Sequence, residues 1–254
     1  MISQVVMSQR NRIIFMHEAP LSQAWRLFVD YVSGLLGMET VDLRMPFGIN
    51  ASGAGVMKQK VEGGDLVMLQ ASRPTSLESL LSRTFTHKVV AEAKTSVLVA
   101  RRPWQPFYRL LLVLRDEPAD YPAILWALRL AVSSGAAVTI LPLVPSMPGL
   151  YNRMGDSAQP DPIVLMASYT PMGGKVRRIV ESFCAAGIAG EVHHRRGAPD
   201  WQIRQEAAAG GYDLLIIGAE SHGRLYRWFA GELVPELLKW SERPVLIARN
   251  AKGA

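Results

Sequence analysis

The sequence predicts an α/β protein of two lobes, each a mainly parallel sheet flanked by helices. Three observations carry that prediction. Residues 211–249 read as strand, glycine turn, helix and strand. Asp213 opens the aliphatic run from Leu214 to Ile217 and Gly218 ends it; Leu233, Leu237 and Leu238 recur at helical spacing; Pro244 precedes the run from Val245 to Ala248. Such a unit crosses over right-handed between strands of one sheet. Sliding the chain along itself by 148 positions lays residues 64–101 over this unit without a gap, with eight identities in the 37 positions from Asp65 to Arg101. Between the two copies, RRPWQPF at residues 101–107 is a proline-bearing junction. The predicted boundaries are therefore 1–102 and 103–254.

The first lobe opens with a strand drawn from residues 2–7 or 12–16, and the sequence leaves both open. Residues 21–36 predict a helix, because Ala24, Leu27, Phe28, Tyr31, Val32 and Leu35 recur at spacings of three and four. Residues 39–45 predict a second strand. From 46 to 64 the composition turns to Gly, Asn, Ser and Ala, which reads as loop. These roughly 20 residues are all that separate the second strand from Asp65, where the second lobe spends nearer 70, so a helix–strand–helix passage is missing from the first lobe. The positions of this lobe that match the later glycine turn are Gln70, Arg73, Arg83 and Thr84. None is glycine, which removes the close backbone approach that a phosphate needs.

The second lobe begins with an apolar strand at 109–114. Asp116, Glu117 and Pro118 open a helix to about Ser134, with Ile124, Leu125, Leu128 and Val132 as its expected buried stripe. Gly135 ends it, and residues 137–144 follow as a strand that Pro142 makes irregular near its end. Residues 145–162 are rich in Pro, Gly, Asn and Asp and read as an exposed loop. A basic helix at 175–186, a short polar strand at 191–196 and a helix at 200–209 lead into the final unit.

At 254 residues, with 49% hydrophobic and 20% charged side chains, the composition is that of a globular chain with a sizeable core. No apolar run approaches the roughly 20 residues of a membrane span. The amino terminus lacks the layout of a secretory signal. One cysteine cannot form an internal disulfide, so the expected compartment is reducing, the cytoplasm. The net charge of +6 raises nucleic-acid binding, but the 28 basic residues are scattered and not interleaved with aromatics, so nucleic acid is not the expected partner.

Catalytic and metal chemistry find little to build on. His193 and His194 are adjacent, and on a strand they point to opposite faces, which suits structural histidines better than metal ligands. Cys184 falls in the apolar region of a helix, where a buried inert thiol is expected. No nucleophile elbow, Walker loop or dinucleotide fingerprint occurs. Ser221 and His222 are a nominal nucleophile and base, but neighbours in a turn are ordinary turn residues.

The frame Gly218, Ala219, Glu220, Ser221, nine residues, Gly231, Glu232 resembles the motif of nucleotide-binding universal stress proteins, Gly-x-x-Gly, nine residues, Gly-Ser/Thr. It departs at Ser221 and Glu232. The run VHHRRGAPDWQIRQEAAAGGYDLLIIG is similar to that family's third strand and Gly-x-Pro turn. The resemblance covers residues 109–249, and 12–101 in part. It implies an adenine-nucleotide-hydrolase-like fold for both lobes, the first a shortened and degenerate copy, the second complete. It further implies an ATP site in the second lobe alone, built from Gly218, Ser221, His222, Gly231 and Glu232. The aspartate that ends the family's first strand and reaches adenine and ribose falls on Arg115 or, one place later, Asp116. The family pairs through its final strands, here residues 96–101 and 244–249, within one chain or as a homodimer.

On the residues themselves, the amides after Gly218 and a helix terminus near Gly231 would form an anion-holding nest, helped by Arg224 and Arg227. Glu232 opposes it, since a carboxylate there takes the helix dipole that a phosphate would use. The expected function is a non-catalytic role in stress response or regulation with weak adenine-nucleotide binding. An ATP-hydrolysing protein and a protein-interaction module with a vestigial pocket are the alternatives.

Overall fold

A computed structural model of the chain describes residues 12–17, 20–44, 66–71, 86–87, 89–143, 161–195, 198–219 and 233–250. Its strands are β1 (Arg12–His17), β2 (Glu39–Arg44), β3 (Leu66–Gln70), β4 (Ser96–Ala100), β5 (Arg109–Leu114), β6 (Ala137–Pro142), β7 (Gly190–Val192), β8 (Leu214–Gly218) and β9 (Val245–Ala248). Its helices are α1 (Gln23–Leu36), α2 (Asp120–Ser134), α3 (Pro162–Ala167), α4 (Pro171–Ala185), α5 (Pro199–Gly210) and α6 (Leu233–Trp240). Further helical backbone lies within 86–92.

All nine strands join one sheet, in the order β2-β1-β3-β4-β9-β8-β5-β6-β7. Every neighbouring pair is parallel except β4 and β9, which run antiparallel with Leu98 opposite Leu246. The mixed α/β class is the one the sequence predicts. The first strand is the later of the two candidates, Arg12–His17; residues 2–7 lie outside the described residues.

Strand β5 shows why aliphatic runs fold this way. Leu110, Leu112 and Leu114 enter the core under α1, α2 and α4, while Leu111 and Val113 enter the core on the opposite face with Ile203 of α5 and Leu237 of α6. A strand covered on both faces has no polar side to alternate with, hence the unbroken run. The protein is thus three layers, helices over and under a sheet.

The two ends of the antiparallel junction exchange similar contacts. Arg101, just after β4, donates Nη2 to the carbonyls of Leu238 and Lys239 in α6, the second at 3.1 Å. Arg249, just after β9, donates to the carbonyl of Ala93. Each arginine thus supplies a cation to a helical carboxyl end in the other half of the sheet, where orphan carbonyls and the dipole favour one. Ser96 Oγ ties the seam together, receiving the indole N–H of Trp126 at 2.8 Å and the backbone N–H of Arg249 at 3.1 Å.

Two expectations are corrected. On α2 the buried apolar residues are Pro122, Ala123, Ala127, Leu130 and Ala131; of the expected stripe, Ile124 and Leu128 pack against the core from its margin, whereas Leu125 and Val132 are 46% and 59% exposed. The helix lies against β8 and β5, and small side chains let it come close. The expected loop at 145–162 ends one residue early: Pro162 already belongs to α3, whose start is capped by Asp161 accepting from the Ile163 N–H at 2.8 Å.

Candidate functional site

The chain leaves β5 toward β6 on one side and returns through β8 on the other. The sheet therefore has a topological switch point between the carboxyl ends of β5 and β8, the place where open α/β sheets hold ligands. Gly218 ends β8 there. A Cβ on it would stand 1.8 Å from the carbonyl oxygen of Ala119 and 2.5 Å from its carbonyl carbon, so only glycine admits the turn before α2 this close to the strand end.

Arg115, the residue after β5, spans the crevice. Its Nη2 donates to the Gly218 carbonyl at 2.8 Å and lies 2.8 Å from a carboxylate oxygen of Glu117, and its side chain is only 8% exposed. Asp116 follows in the left-handed region at φ 61°, uncommon for a residue with a side chain. That conformation sets its carboxylate 3.0 Å from Nζ of Lys175 on α4.

Asp120, the first residue of α2, anchors the turn. Its buried carboxylate accepts from the Arg115 N–H at 3.0 Å, the Glu117 N–H at 3.1 Å and Lys175 Nζ at 3.0 Å. An acid at a helix amino end is stabilised by the dipole. Here it also fills the seat that an external anion would take at α2. Burial alone would lower the Lys175 pKa, but hydrogen bonds to Asp116 and Asp120 outweigh it and hold the ammonium above its ordinary range.

The β5 side of the crevice thus carries two cations, Arg115 and Lys175, against three carboxylates, Asp116, Glu117 and Asp120. This balance disfavours a polyanion on that side and suits hydroxyl or amino groups. Of the residues picked from the sequence, Arg115, Asp116 and Gly218 converge at the switch point. Ser221, His222, Gly231 and Glu232 lie outside the described residues. Sequence reasoning missed Asp120 and Lys175. Asp120 carried a signal, an acid at a helix start; Lys175 carried none, because its partners stand 55 and more positions away.

The histidines belong to a different cluster, at α5. Glu206 is buried and meets His193 Nδ1 at 2.7 Å, Arg195 Nε at 2.7 Å and the Tyr212 hydroxyl, while His193 Nε2 meets Glu191 at 2.8 Å. Burial would raise the Glu206 pKa, yet hydrogen bonds from Tyr212, His193 and Arg195 together bring it below the ordinary carboxylate range. Burial, then the bond to Glu206, pushes the Tyr212 hydroxyl well up. Among the described residues no group of three or more His, Cys, Asp or Glu side chains is placed to hold a metal ion. Cys184, expected to be buried, is exposed: the stripe of α4 that faces the sheet is Met172, Val176, Ile179 and Phe183, and Cys184 falls beside it. Among the described residues no helix is long and apolar enough to cross a membrane.

Fold and crevice define a class, the open α/β proteins that present a ligand site at a switch point. Residues 106–249 match the family model described as "Universal stress protein family". The match spans more than half of the chain, and the chain belongs to that family. No curated protein matches the sequence. A crystal structure of a universal stress protein from Archaeoglobus fulgidus matches with 15% identity and a TM-score of 0.58, covering 96% of this chain and 98% of that one. A functionally unknown protein from Pseudomonas aeruginosa matches with 14% identity and a TM-score of 0.59, covering 95% and 93%. At these identities the likeness is one of fold. A universal stress protein family protein from Arabidopsis thaliana with AMP bound matches with 20% identity over 57% of this chain and 93% of its own, at a TM-score of 0.38. The AMP is a property of that protein.

Proposed function

We propose that this chain is a non-catalytic universal stress protein acting in stress response or regulation, which holds an adenine nucleotide weakly in its second half, residues 103–254. In this reading the first half is a shortened copy without a site, and the two halves pair through β4 and β9. The observation that carries the reading is Arg115 lying across the switch point on the Gly218 carbonyl. A base or ribose seated there must displace or share that guanidinium, which costs about 1.5 kcal/mol, a factor of about ten in affinity. The reciprocal contacts of Arg101 and Arg249 support a pair of related halves.

The test is calorimetric titration of the full chain with ATP and AMP, beside mass spectrometry of any ligand retained on purification and a phosphate-release assay. Expected are millimolar to high-micromolar affinity, about tenfold tighter binding by Arg115→Ala, a further gain from Glu232→Ser, and no phosphate release above background. Failure of the protein and both variants to bind at millimolar nucleotide would replace this reading with that of an interaction module. Phosphate release abolished by Ser221→Ala would replace it with that of a hydrolase.

A further inference from the structure

We propose a second binding site, independent of the nucleotide reading: a pocket for a small oxyanion, a phosphate or carboxylate group, at the seam between the two halves of the sheet. A cleft of about 50 Å³ opens at the carboxyl ends of β3 and β4, beside Ala71 and Val99, and is walled by the end of α6 and the approach to β9. One water needs roughly 10–15 Å³ by the same measure, so the space admits a tetrahedral oxyanion.

Its polar lining is one-sided. Thr86, His87 and Arg101 come from the first half; Lys239, Ser241 and Arg243 come from the second. No carboxylate lines it among the described residues. The carbonyls at the end of α6, which would repel an anion, are covered by Arg101. Glu236, which pairs with Lys239, is not part of the lining.

Arg243 supplies the second, independent observation. Its guanidinium stacks on the Trp104 ring 3.5 Å from the centroid, which fixes the plane of the fork. Its Nη1 is buried and meets no hydrogen-bond acceptor among the described residues. Arg243 also lines the cleft, and a planar fork held in place by stacking is a donor set that an oxyanion matches. Trp104 is in turn held by its indole N–H on Asp213 at 2.9 Å. The stacked platform is therefore tied to β8, and the site draws on both halves of the chain. An anion bound here strengthens the seam by mass action, because it binds only when the halves are together.

The experiment is thermal unfolding and phosphorus NMR of the full chain titrated with inorganic phosphate at constant ionic strength, with chloride as the balancing ion and acetate as a second arm. Expected is a rise in unfolding temperature with phosphate beyond that with chloride, and an affinity about tenfold weaker in Arg243→Gln and several-fold weaker in Lys239→Gln. Lys239 is partly exposed, so that second variant reads the site if Arg243→Gln fails to fold. The Arg178→Gln variant, an exposed charge on α4, is expected to leave the phosphate response unchanged. Acetate acting as well as phosphate assigns the carboxylate arm, and phosphate alone assigns the other. Equal responses in all three variants, or no response beyond chloride, overturn the proposal.

Discussion

Removing the Asp120 carboxylate tests whether the crevice is a preorganised device or a loose turn. Three donors converge on it: two backbone N–H groups, from Arg115 and Glu117, and the Lys175 ammonium, with donor distances of 3.0 to 3.1 Å. The side chain is 1% exposed, so water does not replace it without the turn opening. Each donor left unmet costs about 1–3 kcal/mol. Lys175 falls at the low end, because it is 22% exposed and keeps Asp116 at 3.0 Å. Asp120→Ala should therefore lose about 3–5 kcal/mol, a large share of the roughly 5–15 kcal/mol that holds a domain folded.

Urea denaturation at pH 7 followed by circular dichroism measures this. Lys175→Met alone should cost about 1 kcal/mol or less, since solvent screens it. Asp120→Asn, which keeps one acceptor oxygen, should fall between. In the double-mutant cycle of Asp120→Asn with Lys175→Met, a coupling of about 1 kcal/mol is expected. A loss under about 0.5 kcal/mol for Asp120→Ala would refute the reasoning, because it would mean that the turn opens to water without penalty. Alkaline pH gives an internal check. The Lys175 pKa is raised in the folded state, so its contribution is complete below about pH 10.4, the unfolded value, and is lost as pH rises through the folded one.

Two further substitutions probe the same fold. Gly218→Ala places a methyl 1.8 Å from the Ala119 carbonyl oxygen and should cost at least about 1–3 kcal/mol by overpacking, read as a drop in unfolding midpoint; an unchanged midpoint would mean that the turn moves freely. At α5, the Glu206 pKa is depressed, so its contribution is present above about pH 4.3 and is lost as pH falls through the folded value. Glu206→Gln should cost about 2 kcal/mol at neutral pH and flatten the acid limb of the stability profile, and an acid limb of unchanged slope would count against the cluster.

What the sequence made legible follows from range. Strand β5 and the helix end at Gly135 are local facts, an aliphatic run and a residue free to take positive φ, at 69° here. Two of the four α2 stripe residues, Leu125 and Val132, fall outside because hydrophobicity stands in poorly for volume. Where a helix must lie close to a strand that ends in a mandatory glycine, alanines take most of the inward face, here Ala123, Ala127 and Ala131 beside Leu130. The site was half legible for a similar reason. Motif spacing points to Gly218 and to Arg115 or Asp116, but the charge that directs where these two side chains go sits on α4. Lys175 takes Asp116, leaving Arg115 to cross to Gly218. No pattern within one segment states that division of labour.

The seam between β4 and β9 raises the question of what each half does alone. β9 is four aliphatic residues, Val245–Ala248, with β8 on one side and β4 on the other. Without residues 1–102 it becomes a bare apolar edge, a template for pairing with another chain. The register with β4 is centred on Leu246 opposite Leu98, and an antiparallel pair has a local two-fold axis. A second β9 can therefore take the place of β4, and a fragment of residues 103–254 should dimerise through it, as light scattering after gel filtration would read. Such a dimer replaces the Ala93 carbonyl that receives Arg249 with whatever the partner offers, so it should also be less stable than the full chain. A monomeric fragment with the unfolding midpoint of the full chain would show instead that the first half contributes nothing to the second.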